Sequence, residues 1–316
     1  MTLLDWNKLD DKKRHRLAKA RNIAFIAGSV RMSKRRIKQI ITNFKNTNLL
    51  FGCLKDEEIP GLEGSPQFLP LRLEELAKAV GKESKVAILH HFHKDIKHII
   101  KELTPSKVIF VNGSWAGQIH YRSEYWKALE VGAKVELISP FVSEREAKNF
   151  ELKIKNEELK IKKLYSKTKK YSDRELLNIA KEVAKVSWDW IGQIGAVLAR
   201  KGKVLAVAYN RVVPYQAFQM HFGSIREKKH IPAQEMLETQ LTNHAEVEIL
   251  EIARRERINL KGATLYINIF PCPICAKMLS RTEIDGITYS QDHNLGNDIG
   301  YKVLEMSGKK VKRVVI

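Results

Sequence analysis

Asn243-His244-Ala245-Glu246 and Pro271-Cys272-Pro273-Ile274-Cys275 stand 24 residues apart in the second half of this 316-residue chain. Each opens a run with helical spacing. Cys272 and Cys275 stand three apart, so one helical turn presents both sulfurs to one point. The positive end of the helix dipole favours thiolate over thiol there. His244, at the start of a facing helix, adds a third, neutral ligand. Three protein ligands leave one tetrahedral position for water, the pattern of a catalytic Zn2+ site. Zinc lowers the pKa of such a water from about 16 towards 7. Glu246 is not needed as a ligand and is placed to carry protons. Two further readings stand beside this one. A redox C-x-x-C pair would leave His244 and Glu246 idle. A structural zinc would recruit a fourth ligand, for which His293 is the candidate. Cys53 falls on a predicted strand and reads as a core residue.

Working outward, Ser172-Asp173 caps a predicted helix running to about Trp190. Gly192–Ala199 and Val204–Tyr209 flank Lys201–Lys203 and read as an antiparallel hairpin. A long connection, residues 210–241, precedes the helix at His244, which runs to about Arg257. Strands at 264–270, 286–290 and 311–315 alternate with helices at 272–281 and 299–307. Residues 149–172 are lysine-rich without glycine or proline, and they read as an inter-domain link, either a hairpin about Asn156–Glu158 or a helix.

Before that link, Val/Ile-rich runs at 24–29, 48–54, 85–90, 107–112 and 134–139 alternate with helices of ten or so residues. That alternation predicts a parallel sheet covered on both faces, Rossmann-like or flavodoxin-like. The expected fold class is α/β throughout, with a Rossmann-like domain over 1–148, a linker over 149–172 and a second domain over 173–316. Residues 1–20 read as a basic, partly helical arm. Gly28-Ser29 and Gly113-Ser114 each end a predicted strand before a helix. Ligands of open parallel sheets bind at such turns, although ordinary turn chemistry explains them equally. His90-His91-Phe92-His93, with Asp95 and His98, reads either as a metal site or as a polar loop and helix start. Trp115, His120, Tyr121, Arg122, Tyr125 and Trp126 form an aromatic and basic cluster that would stack a base or pack the domain.

The net charge of +20 is uneven, with +10 in residues 1–50 and +5 in residues 151–170. Such a distribution suits a polyanion or serves solubility alone. Three cysteines are too few for a disulfide framework. No apolar run of about 18 residues and no apolar leader is visible, so a cytoplasmic protein without a membrane partner is expected.

With Gly195-Ala196-Val197, Tyr209-Asn210, His244-Ala245-Glu246 and the run Leu265–Lys277 on the page, residues 173–316 resemble the deoxycytidylate (dCMP) deaminase family of the cytidine deaminase-like fold. The His-x-Glu and Pro-Cys-x-x-Cys parts are the signature of zinc deaminases. The resemblance implies a three-layer α/β/α domain. It implies that His244, Cys272 and Cys275 bind zinc and that Glu246 shuttles protons. It further implies that Asn210 contacts the sugar, that the Ala245 N–H holds the pyrimidine carbonyl, and that the Phe270 backbone lies beside the leaving ammonia. Arg211 stands where the family usually has glycine. Asp292-His293 stands where an aromatic is common, and His293 would stack on a base or meet a phosphate.

The leading expectation is therefore zinc-dependent hydrolytic deamination of a cytosine nucleotide, dCMP or a close relative, by a homo-oligomer. A nucleotide effector or a nucleic acid would bind the basic N-terminal half. One alternative is deamination of a base within tRNA or single-stranded nucleic acid. Another is an inert deaminase scaffold that binds nucleotide or nucleic acid, against which the intact Glu246 argues.

Overall fold

The computed structural model describes residues 2–20, 22–28, 30–58, 69–114, 122–154, 161, 163–189, 192–224, 241–292 and 297–316. The chain divides into two compact units: Met1–Asn149 with Ala217–Thr239, and Phe150–Gln216 with Gln240–Ile316. Among the described residues no helix is long and apolar enough to cross a membrane.

The first unit holds β1 (Thr2–Asp5), α1 (Asp11–Ala18), β2 (Ile23–Ala27), α2 (Lys34–Asn43), β3 (Asn48–Leu54), α3 (Leu73–Val80) and β4 (Val86–His91). It continues with α4 (Ile96–Leu103), β5 (Lys107–Val111), α5 (Ser123–Glu130) and β6 (Lys134–Ile138), and α6 (Glu144–Ile154) follows. Its six strands lie in the order β1-β4-β3-β2-β5-β6. Every pairing in that sheet is parallel. The central strand β2 is buried along its whole length, as a parallel strand covered on both faces must be. Trp6, Phe25, Ile96, Ile100 and Phe110 join one core cluster on this sheet.

Of the stretch read as a basic, partly helical arm, α1 is the helical part, while Thr2–Asp5 is the edge strand of the sheet, paired in register with Ala87–His90. The stretch Thr2-Leu3-Leu4-Asp5 is too short to show a period, and its flanking charges hide it.

The strand order reverses between β2 and β5, so the two glycine turns read from the sequence become neighbours. A Cβ on Gly28 would lie 2.9 Å from Val111 Cγ2 and 3.7 Å from Ser114 Oγ. Ser114 Oγ accepts a hydrogen bond from the Val30 N–H at 3.2 Å, which ties one turn to the other.

The second unit begins with α7 (Asp173–Ala184), whose Ser172 and Glu175 form a reciprocal capping box. The hairpin β7 (Gly195–Arg200) and β8 (Lys203–Tyr209) follows, then β9 (Arg211–Val212). The next helix, α8 (Phe218–Phe222), clusters with the first unit. The chain returns through β10 (Thr242–Asn243), α9 (Ala245–Arg255), β11 (Thr264–Ile269), α10 (Pro273–Ser280), β12 (Gly286–Gln291), α11 (Asn297–Met306) and β13 (Lys310–Arg313). The sheet order is β13-β12-β11-β7-β8. Strand β7 runs antiparallel to both β8 and β11, while β11, β12 and β13 are mutually parallel.

Alternation in β7 divides the core. Ala196 and Leu198 face a cluster with Ile249 of α9 and Leu279 of α10. Val197 and Ala199 face Leu176, Ala180 and Val183 of α7. Gly195 is required where α7 crosses β7, since a Cβ there would lie 2.0 Å from the Ala180 carbonyl oxygen. The result is an α/β architecture with two sheet-containing units, the second sheet covered by helices on both faces.

Within the connection 210–241, the described residues 217–224 cluster with the first unit. The Met220 side chain is fully buried. It stands 3.3 Å from where a Gly113 Cβ would be. His221 Nδ1 lies 2.9 Å from Ser139 Oγ. Met220→Ala is expected to cost about 2–5 kcal/mol in the first unit. Hydrogen exchange of β2 and β5 amides should quicken while β7 and β11 keep their protection; equal loss in both sheets would refute this placement.

Candidate metal centre

Because β8 and β11 run the same way, Asn210 and Phe270 leave their strands at the same edge of the sheet. The amino end of the antiparallel β7 lies there too. Two helices start at this edge. His244 is the N-cap of α9, and Cys272 is the N-cap of α10, with its sulfur accepting from the Cys275 N–H at 3.5 Å. Pro273 follows at the first helical position, where no N–H is needed and its fixed φ suits the turn.

The three ligand candidates meet. His244 Nδ1 lies 3.5 Å from Cys272 Sγ and 3.3 Å from Cys275 Sγ. Bond lengths of roughly 2.3 Å to sulfur and 2.0–2.1 Å to nitrogen give a tetrahedral N···S edge of about 3.5 Å. Among the described residues, this is the one group of three or more His, Cys, Asp or Glu whose ligand atoms approach closely enough for a metal, all within 4.8 Å of one another. The donor set fits zinc, with two sulfurs and one imidazole nitrogen. Both cysteines are buried.

The protonation of the cluster without metal follows from its geometry. The Cys275 thiol beside it, and then His244, pull Cys272 down to about 4 despite burial. Cys275 is pushed up, by Cys272 first and by burial second. The neighbouring Cys272 raises the His244 imidazole. Metal binding would displace these protons. Glu246, second residue of α9, is 3% exposed. Burial is the main cause that pushes its carboxyl up, opposed by His244. A carboxyl so placed takes and returns a proton at modest cost.

The remaining expected residues lie as follows. Ala245 is fully buried at the first position of α9. The Phe270 ring packs against Tyr289 at 4.8 Å and Tyr301 at 6.3 Å, and its N–H donates to the Gln291 carbonyl. Asn210 is 4% exposed at the end of β8. The Arg211 guanidinium lies 5.9 Å from the centre of the Tyr209 ring. His293, Trp115, His120 and Tyr121 lie outside the described residues. Trp126, also of the aromatic cluster, packs edge-on to Tyr125. Cys53 is buried on β3 and pushed up to about 12 by burial, so it is a core thiol. His91 is buried and pushed down to about 4 by burial, with Nδ1 2.9 Å from the Phe92 carbonyl oxygen.

Sequence reading missed the polar groups that brace this edge. Asn268 accepts from the Gly195 N–H at 2.9 Å and donates to the Gln193 carbonyl at 3.0 Å. Ser290 Oγ donates to the Asn268 carbonyl at 2.6 Å. The available signal was an asparagine inside the apolar run Leu265–Phe270.

Zinc stoichiometry tests the cluster. His244→Ala and Cys272→Ser are expected to lose bound zinc, while Glu246→Gln and Cys53→Ser retain it. Full zinc in the Cys272→Ser protein would rule out this ligand set.

Comparison with known proteins agrees with this geometry. Residues 170–291 match the family described as "Cytidine and deoxycytidylate deaminase zinc-binding region". The deoxycytidylate deaminase of Enterobacteria phage T4 is 24% identical over 169 residues, covering 44% of this chain and 88% of that protein. The deoxycytidylate deaminase of Schizosaccharomyces pombe is 27% identical over 144 residues, covering 45% of this chain and 44% of that protein. The crystal structure of the dCMP deaminase from cyanophage S-TIM5 covers 45% of this chain and 96% of its own, with 19% identity and a TM-score of 0.34. The family match spans residues 170–291, which include the His244, Cys272 and Cys275 cluster, and leaves residues 1–169 and 292–316 aside.

Proposed function

We propose that the C-terminal domain hydrolytically deaminates a cytosine nucleotide, dCMP or a close relative, to the uracil product and ammonia. The observation that carries this reading is the buried Glu246 beside a three-ligand cluster of zinc-binding chemistry. The family match and the deoxycytidylate deaminases among the relatives support the choice of substrate.

A zinc ion held by His244, Cys272 and Cys275 supplies the Lewis acidity that makes water nucleophilic at neutral pH. Glu246 takes a proton from the attacking water. Oxygen adds to C4 of the ring as Glu246 delivers that proton to the adjacent ring nitrogen. The second water proton passes through Glu246 to the exocyclic amine. The C4–N bond then breaks, its electron pair leaves with ammonia, and the C4 carbonyl forms. The Ala245 N–H has no acceptor within its own helix, being in the first turn, and holds the pyrimidine carbonyl. Burial keeps bulk water from competing for Glu246 and strengthens its interaction with the ring.

A panel of CMP, dCMP, dCTP, deoxycytidine, structured RNA and single-stranded DNA, followed by ammonia release, tests the proposal. Turnover of a free cytosine nucleotide is expected. Glu246→Gln should lower kcat by about 10²–10⁴-fold with zinc retained. Turnover confined to the RNA or DNA arms would move the activity to a base within nucleic acid, and no turnover at all would reject deamination.

A further inference from the structure

Neither the metal cluster nor deamination uses a buried carboxyl in the first unit. Glu124, the second residue of α5, is 7% exposed. Acids are almost never so buried unless they are paired. Among the described residues its one hydrogen bond comes from the neighbouring Ser123 Oγ, at 3.4 Å, and reaches Oε2. No backbone N–H of α5 donates to it, so it does not cap the helix. A carboxylate has about four acceptor positions, and most of these are open in Glu124. Side chains of a helix lean towards its N-terminus, so Glu124 leans towards the carboxyl edge of the parallel sheet.

That edge is where the strand order reverses. Strands β2 and β5 are neighbours, and the chain leaves them in opposite directions, from β2 towards β3 and from β5 towards β6. Right-handed crossovers then put α2 and α5 on opposite faces. Ala128 of α5 accordingly joins the core cluster of Phe25 and Ala27, while the buried Ile37 and Ile40 of α2 stand outside it. Ligands of open parallel sheets lie in the crevice between two such loops. At its base Ser114 Oγ accepts from the Val30 N–H at 3.2 Å and Met220 packs against Gly113, so a ligand meets the helix starts rather than the strand ends. The strands beneath are about 4.8 Å apart, so a ligand of one ring reaches both starts. The start of α2 has the opposite character to that of α5. Its first turn carries Lys34, Arg35 and Arg36 and no acid. Arg36 is engaged by Gln39 and the Phe141 carbonyl. Lys34 and Arg35 are exposed and have no ion pair among the described residues. Cations at the positive end of a helix dipole are repelled by it, and an anion bound there is attracted by both.

We propose that this crevice binds a phosphorylated sugar, free or within a nucleotide, with the phosphate at the start of α2 against Lys34 and Arg35 and the sugar hydroxyls donating to Glu124. The site belongs to the first unit and does not rest on deamination.

The test titrates the zinc-loaded full chain with ribose 5-phosphate, AMP, ribose and inorganic phosphate by calorimetry, and maps amide exchange with ribose 5-phosphate bound. Ribose 5-phosphate should bind and protect the first-turn amides of α2 and α5, with α9 and α10 unchanged. Ribose and inorganic phosphate, each lacking half of the contacts, should bind about tenfold or more weaker. Tighter binding of AMP than of ribose 5-phosphate upholds the site as one for a nucleotide, and equal binding upholds it as one for the sugar phosphate. Glu124→Gln, and separately Lys34→Ala with Arg35→Ala, should weaken ribose 5-phosphate about tenfold or more. Because Glu124 holds so little of the fold, Glu124→Gln should keep or raise Tm. No binding at millimolar ligand, inorganic phosphate as tight as ribose 5-phosphate, or protection confined to α9 and α10 overturns the proposal. Unchanged affinity in either variant also overturns it, and the exposed Lys34 and Arg35 decide alone where Glu124→Gln does not fold.

Discussion

The second unit is organised around the meeting of two helix N-termini. The N-caps of α9 and α10, His244 and Cys272, together with Cys275 in the first turn of α10, place one nitrogen within 3.5 Å of two sulfurs. Each terminus has unsatisfied N–H groups and a partial positive charge. Each end therefore favours electron-rich groups, and the Cys272 sulfur stands at one of them, accepting from the Cys275 N–H. The field that makes Cys272 a good ligand comes from the helix that presents it.

The rest of the unit serves that meeting. Helix α9 lies on the β7–β8 side of the sheet and touches α10 near the cluster. The small residues Ala196, Ala206 and Ala208 of the sheet and Ala245 and Ala253 of the helix share one core cluster, which lets helix and sheet approach closely. On the other face, Gly195 lets α7 cross at backbone distance. A larger residue at either level would lift a helix by more than the few tenths of an ångström that a metal tetrahedron tolerates. Packing of small side chains and metal geometry are therefore one constraint seen at two scales.

Much of this was legible in the sequence, for a definite reason. Strands such as Lys107–Val111 and Lys203–Tyr209 have strong local periods, and the predicted bounds fall within a residue or two of those observed. The meeting of His244, Cys272 and Cys275 was legible because ligand chemistry restricts residue type and spacing together. What was hidden was non-local. The edge strand Thr2–Asp5 gains its structure from pairing with Ala87–His90, far away in sequence. Asn210 and Asn268 look like ordinary strand-end polar residues, and only their partners at Gly192, Gln193, Ile194 and Gly195 reveal a brace. Hydrogen-bond partners brought together by folding leave no period behind.

The excursion between β9 and β10 carries the same lesson to the level of the whole chain. Val212 and Thr242 pair across a two-stranded ribbon, and the Val213 N–H donates to the Leu241 carbonyl at 2.8 Å, so the ends of the excursion are zipped together. Asn210 immediately precedes one ribbon strand and His244 immediately follows the other. The interior of the excursion, including the fully buried Ala217 and Met220, belongs to the first unit. That unit's core is therefore completed by residues encoded in the second half. A chain ending at the lysine-rich stretch would lack Met220 against Gly113 and His221 against Ser139. The ribbon that closes the excursion ends on the candidate ligand His244.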